Sequence, residues 1–505
     1  MNLKVNNFKT YNPAFGGALD GVLTNALRVL DTNEMANAVV LDLGTMVGPR
    51  TYFDTKDRNK YAGTETFIRE ISGTGINCLS AGILAGMIAK VANKYVQTGT
   101  PINPKSWFSD DSINLLYDAW KNSENNVEKY LENVFDSMQG QDARRTNRFK
   151  DINWNGIEWF EENKWNNFKW DNPNYKNIET KFTNRKDFIN TFAQIINDKN
   201  LTTHDKKQIL EIMETRLTNA LKANREVEVQ FGTRKLSSTM ANLLRDTFDM
   251  AKDVFTNDKV NTAQAIAKIK KVNNIKIFGA LSIASAIGIS MQKLNRKLTE
   301  KRTGRKGFVG EVDYVKDGKV NTDVQTANTK GLWLKKILAS IGMIGMLLAV
   351  MKVKNPKDFV KKLQFTGPVS TGNAIKTVYG SVIVGRFLAA DSNNELRESV
   401  VRDYFGFLNW LVLGGFASKG VANLLDIKQE NLFNITKEGK GVKHWLNDVK
   451  LKTHAEIAAQ GKNFAKKNLW KLNVAHIAGL AYSTIMLGIL LPKINTMMTK
   501  KRAEK

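Results

Sequence analysis

Cysteine is almost absent from this sequence. Cys78 stands alone among 505 residues, so no disulfide framework can form within one chain, and an oxidising compartment is not required. Histidine is scarce too. His204, His444, His454 and His476 are scattered, and none stands at ligand spacing from Cys78 or from another histidine. Met1 to Ala26 contains no apolar run of signal-peptide length. Pro13, Gly16, Gly17 and Asp20 interrupt it, so no cleaved signal peptide is expected. The apolar runs carry no rows of acids that would suggest a proton relay, and no inverted repeat is visible, which leaves transport as a minor reading.

Positive charge is what the sequence has in excess. Lys and Arg number 75 against 49 Asp and Glu, a formal net charge of +26. Such a chain is attracted to nucleic acid or to anionic lipid headgroups. The excess is uneven: residues 101–200 hold 14 basic against 16 acidic residues, a net of −2, so the remainder carries +28. A chain of this length exceeds one ordinary core. We expect three segments: 1–95, with a first hydrophobic helix; 96–272, a polar Trp/Asn-rich and amphipathic helical module; and 273–505, a basic domain with several hydrophobic helices.

Uncharged runs occur at 71–89, 277–292, 337–351, 377–385, 404–418 and 472–492. The first approaches the ~20 residues that cross a bilayer core as a helix. Within it Gly82 and Gly86 form a GxxxG pair, which lets a second helix approach closely. The last run is the best spanning candidate, with Trp470 and Lys471 at one end and Lys493 at the other, an interface-anchor pattern. Run 337–351 becomes long enough if Lys335 and Lys336 snorkel, with Trp333 at headgroup level. Runs 277–292 and 404–418 are marginal. Run 377–385 is too short, and Arg386 interrupts its extension at a cost of at least ~2.5 kcal/mol in a bilayer centre. The flanking loops are basic on both sides of these runs, which fits poorly with a single positively charged face.

Between the first two runs lies the polar segment. Trp154, Trp159, Trp165 and Trp170 recur every five or six residues among Asn and Glu. Near-zero local charge argues against a nucleic-acid groove, and these rings are expected to form the small core of the polar module. From Thr203 to Lys271 apolar residues recur at helical spacing, including Leu236, Met240, Leu243, Leu244 and Phe248, with breaks at Gly232 and Asn257. Asp317-Gly318 between valines marks a β-hairpin over 311–324. Gly48-Pro49 reads as a turn, and 38–43 as a short strand or buried helix.

The motif search yields no catalytic, metal or cofactor residue. Val40 to Thr45 resembles the phosphate-1 segment of actin-like ATPases over six residues, in which a strand ends in Asp-x-Gly-Thr. The second Asp-Gly turn and the adenosine glycine motif that this family also needs are not found. Gly367 to Asn373 lacks the lysine of a phosphate-binding loop, and 313–324 lacks two side-chain ligands of a calcium loop. Glu65, Glu70, Arg50 and Arg69 can cluster beside the first hydrophobic helix, or form surface pairs.

The expected fold class is therefore mainly α: a multi-helix membrane-associated bundle with a polar helical insert and one small β-hairpin. The expected function is that of a multi-pass membrane protein, structural or an interaction platform, and not an enzyme. Its partner would be the lipid bilayer, including anionic lipids, with protein partners or self-association besides, and Gly82 and Gly86 are its expected helix-packing residues. Nucleic acid is the weaker partner, and a soluble basic nucleic-acid-binding or particle-assembly protein is the alternative.

Overall fold

A computed structural model describes residues 18–32, 34–96, 109–140, 142, 147–157, 165, 167–223, 228–232, 234–304, 329–364, 372–458 and 460–503. It is about 78% helical with few strands, so the chain is mainly α. The hairpin expected over 311–324 and the segment tested as a calcium loop lie outside the described residues.

The chain opens with α1 (Ala18–Thr32) and α2 (Glu34–Val40), which meet where Asp31 and Thr32 suggest a stop. A π-type segment, Leu41–Val47, follows, and then α3 (Gly48–Asp57). The run 38–43 is therefore helix, not strand, and Asp42 is not at a strand end as a phosphate-1 segment requires. Gly48-Pro49 does not turn the chain either. Pro49 occupies the first turn of α3, where its missing N–H costs nothing.

Asn59 caps α4 (Lys60–Gly75) by accepting the Ala62 N–H, and a π-type segment joins α4 to α5 (Ala81–Val96). The polar module then contributes α6 (Asp110–Lys121), α7 (Val127–Phe135), α8 (Arg185–Asn197) and α9 (Thr203–Leu221). Its antiparallel strands β1 (Glu228–Phe231) and β2 (Arg234–Thr239) precede α10 (Met240–Met250). The break expected at Gly232 is there, but the hairpin corrects the expectation of helix directly on either side of it. Leu236 lies in β2, and helix resumes only where Thr239 accepts the Asn242 N–H as cap. Gly232, at φ +56, supplies the turn.

The polar module has one core, in which Phe135, Phe149, Phe188 and Phe192 pack ring against ring. Trp154 and Trp165 are buried in it and Trp170 packs on its edge, as expected; Trp159 lies outside the described residues. Buried Asp205 tethers this stretch by accepting the N–H groups of Asp171 and Asn172 at 2.9 and 3.0 Å.

The bundle continues with α11 (Thr262–Thr303), α12 (Leu332–Val350), α13 (Pro356–Leu363), α14 (Gly372–Ala389), α15 (Asn393–Leu408) and α16 (Gly414–Leu425). A small unit follows, with β3 (Phe433–Ile435), α17 (Val442–Asn447), β4 (Val449–Leu451) and α18 (His454–Ala458). The strands β3 and β4 pair antiparallel. The chain ends in α19 (Lys462–Ser483), a π-type segment, and α20 (Leu491–Ala503).

Contacts fix the helix directions. Gly279 of α11 meets Ile88, Gly288 meets Ile76, and Asn295 donates to the Glu65 carbonyl, so α11 runs antiparallel to α4–α5. Ser285 meets Ser381, and Arg296 reaches the Ala389 carbonyl, so α14 runs parallel to α11. Helix α12 returns antiparallel to α14, with Lys336 on the Leu388 carbonyl and Leu347 against Gly380. The bundle thus has two ends. The N-terminal turns of α11 enter the polar-module core through Ala265, Ile266 and Ile269. Gln364 ties Asn274 to the Asp110 N–H at that same end.

Among the described residues, four helices are long and apolar enough to cross a membrane by length and composition: Lys60–Ala92, Thr262–Arg302, Leu332–Val350 and Lys462–Thr499. They contain the runs 71–89, 277–292, 337–350 and 472–492. The run 377–385 lies instead inside the bundle: α14 buries Val378, Val382, Ile383 and Phe387 on all sides.

Close packing depends on glycines on the α11–α14 seam. A Cβ at Gly385 would stand 2.5 Å from the Ile289 Cα, a backbone atom that cannot move aside. A Cβ at Gly345 of α12 would meet nothing within 4 Å. Gly385→Ala is therefore expected to destabilise the fold by ~1–3 kcal/mol through overpacking. Gly345→Ala is expected to be neutral, or to gain up to ~1 kcal/mol of helix propensity. Thermal unfolding of both variants in detergent checks the contrast; equal midpoints would show that the seam is looser than described.

Candidate functional site

The most unusual feature of the bundle is buried charge. Arginines 50, 58, 69, 386 and 402 lie against carboxylates 42, 54, 70, 398 and 403, gathered from α3, α4, α14, α15 and the segment before α3. Burying even one such charge without a partner costs several kcal/mol, so the geometry must offset each. Arg386 on α14 bonds Asp403 on α15 at 2.9 Å, with both side chains no more than 3% exposed. Arg402 shares the same Asp403 oxygen at 3.2 Å. Arg50 and Arg69 both reach Glu70 Oε1 at 3.3 Å, and Arg50 also donates to the Leu487 carbonyl. Arg58 closes on Glu398 at 2.6 Å, and Thr499 donates to the other oxygen of Glu398. Asp42 accepts from Thr74, and Asp54 from Thr66.

Burial alone would raise the carboxyls of Glu398 and Asp403. The adjacent guanidiniums outweigh it: Arg58 and Arg402 hold Glu398 below its ordinary value, and Arg386 and Arg402 do the same to Asp403. Both carboxylates are ionised at neutral pH. Small residues make room for the large cations. A Cβ at Gly73 would lie 3.6 Å from Arg386, and one at Gly406 3.6 Å from Arg50. A small cleft beside the network is lined by Arg69, Ser72, Gly73, Asn295 and Arg386, with apolar Ile76 and Val382. Asp403 Oδ2 and Arg50 Nη2 are buried without a hydrogen-bond partner. The network provides fixed, nearly balanced charge. Cys78 is buried in the apolar core of the bundle.

The sequence-derived residues fall as follows. Arg50, Arg69 and Glu70 come together in the network. Glu65 does not join it; its backbone carbonyl accepts from Asn295. Arg386, an obstacle to insertion in sequence terms, is paired inside the bundle. Asp403, Arg402 and Glu398 were not singled out, although Glu398 and Arg402 stand four apart on one helix face. Trp333 and Trp470 are exposed, as are Lys335 and Lys493, while Lys336 and Lys471 are half-buried. Lys335 and Lys336 bond Asn393 and the Leu388 carbonyl, and Lys493 lies over the Phe53 ring. Gly82 is half-buried, and a Cβ at Gly86 would meet nothing within 4 Å, so Gly86 does not seat another helix of this chain. His454 and His476, far apart in sequence, meet beside Asp31.

Removing one member of a buried pair leaves the other uncompensated. Arg386→Met is expected to cost ~3–5 kcal/mol, and Arg386→Met with Asp403→Leu to recover part of that loss. Depressed carboxyls also tie stability to pH. The contribution of Glu398 and Asp403 is complete above their unfolded values near ~4 and is lost as pH falls through their lower folded values. Unfolding midpoints between neutral and acid pH check this, and the acid-side loss should shrink in the double variant.

No known protein family matches this chain, and neither a characterised protein nor a solved structure is similar to it.

Proposed function

We propose that the chain is a multi-pass membrane protein and a non-catalytic interaction platform, carrying its polar module at one membrane face. The observation that carries this reading is the chemistry of the outward faces. On α5, Ile83, Met87 and Val91 are exposed at steps of four. On α11 the exposed residues include Ile283 and Ile287, and on α12 Leu334, Leu338, Ile341 and Ile344. On α19, Val474 and Ile477 are exposed three residues apart, again on one helix face. Only 17% of the apolar window of α12 is buried. In water each such side chain forgoes ~1.5–3 kcal/mol of burial, and a contiguous patch of this extent marks a lipid or protein contact.

Lengths support the reading. Helix α12, at 19 residues, is ~28 Å long, close to the ~30 Å hydrocarbon core. Helix α11 is twice as long, and its uncharged residues 277–292 occupy the middle. The polar module sits at one end of this layer, and Lys297 and Lys301 lie at the other. Both ends are basic, so orientation would follow from the folded module rather than from loop charge, since large domains translocate largely regardless of charge. A platform fits this arrangement because most of the buried charge is paired with itself and serves to hold the helices together. Anionic lipid headgroups suit the exposed lysines at either end.

Membrane fractions washed in alkaline carbonate are expected to retain the protein until detergent is added. In a Cys78→Ala background, Lys199→Cys in the polar module and Lys297→Cys at the far end should react with an impermeant maleimide from opposite sides. Release by carbonate or high salt would reject spanning and favour the soluble basic alternative, which binds nucleic acid with steep salt dependence.

A further inference from the structure

The fold holds a second cluster, separate from the arginine network. Asp31, near the end of α1, His454, the first residue of α18, and His476, in the middle of α19, converge at the end of the bundle that bears the polar module. One donor atom from each lies within 4.8 Å of those of the other two. We propose that Asp31, His454 and His476 form a binding site for a divalent transition-metal ion, with zinc the ion that fits the donor set best.

Hydrogen bonding accounts for only part of this cluster. His454 Nδ1 lies 2.5 Å from Asp31 Oδ2, and the His454 backbone N–H donates to that oxygen at 2.7 Å. That leaves Asp31 Oδ1 and His476 Nε2 buried with no partner. The Asp31 side chain is 4% exposed, so its orphaned oxygen is costly. His476 Nε2 stands 3.9 Å from Asp31 Oδ2, too far for a hydrogen bond. A metal ion resolves both deficits, because it takes lone pairs from nitrogen and carboxylate alike. Ligands ~2.0–2.2 Å from a tetrahedral ion stand ~3.4 Å from one another, so closure asks for side-chain shifts of about an ångström.

The surrounding residues are those such a site needs. His454 Nε2 donates to Asn473 Oδ1 at 2.7 Å, which orients the ring and leaves Nδ1 to face Asp31. Asn473 Nδ2 in turn donates to Thr24 Oγ1 at 2.8 Å, which fixes the amide so that its oxygen points at the histidine. A ligating histidine held through its other nitrogen is the usual arrangement of protein metal sites. Two imidazoles and one carboxylate suit zinc better than calcium or magnesium, which prefer oxygen alone. Three protein ligands leave a fourth position open to water or to a donor from a partner. His476, 22% exposed, marks the side from which an ion enters. Bound metal would clamp α1 onto α18 and α19. The proposal does not depend on whether the bundle spans a membrane.

The test uses the full chain in detergent, stripped with a chelator and then titrated with Co²⁺ alone, with Zn²⁺ as competitor. The expected result is one equivalent of Co²⁺ with the visible bands of a low-coordinate N/O site, displaced by Zn²⁺, and a raised unfolding midpoint when Zn²⁺ is present. Buried Asp31 and His454 variants can fail to fold, so part-exposed His476→Gln carries the comparison. It should lose affinity by at least about tenfold while keeping its circular dichroism and elution volume. Asn473→Ala should weaken binding without abolishing it. Absence of stoichiometric Co²⁺ or Zn²⁺ binding by the wild-type chain, or equal affinity in His476→Gln, overturns the proposal.

Discussion

Arg386 and Asp403 set the terms on which the bundle can exist. A guanidinium on an otherwise apolar helix has to be matched wherever that helix goes, and this one is matched from a single direction, by α15. That requirement places α15 against α14, and through Arg402, Glu70 and Arg50 it draws in α3 and α4. Hydrophobic burial is non-directional and would accept several arrangements of these helices. Ion pairs at 3 Å accept far fewer. Sequence-distant segments are thereby locked together: Arg58 follows α3, Glu398 lies on α15 and Thr499 on α20.

Packing of α14 against α11 follows a different logic. There the seam with α11 is built from the absence of side chains at Gly288 and Gly385 and from a serine pair. Backbones approach closely, so dispersion acts over a short range and the register is set sterically. One helix thus faces two kinds of neighbour, charged on α15 and nearly featureless on α11. Helix α14 is the hub because it satisfies both.

Much of this was legible in local sequence. The uncharged runs around Ile277 and Leu472 announce long apolar helices, and Asp31-Thr32 announces the break between α1 and α2. Arg50, Arg69 and Glu70 could be grouped because they sit close together in the chain. Arg386 and Asp403 could not be joined to them, since no spacing rule links residues over 300 positions apart. The same holds for Asp31, His454 and His476, which are scattered in sequence and adjacent in the fold. Strand β2 was missed because Leu236 and Met240 are also spaced as on a helix, and that coincidence outweighs the signal of a strand as short as 234–239. Gly48-Pro49 misled because the same dipeptide that suits a turn also suits the start of a helix.

Helix α11 belongs to two structures at once. Its first turns are part of the polar module's hydrophobic core, its middle is the seam with α14, and its last turns reach Glu65 and Asp391 at the far end. At 42 residues it is ~63 Å long and unbroken. A stiff shaft keyed at both extremities conveys torque. If the module were twisted or pulled, the strain would reach Arg296, at the other end of the bundle, without any loop to absorb it.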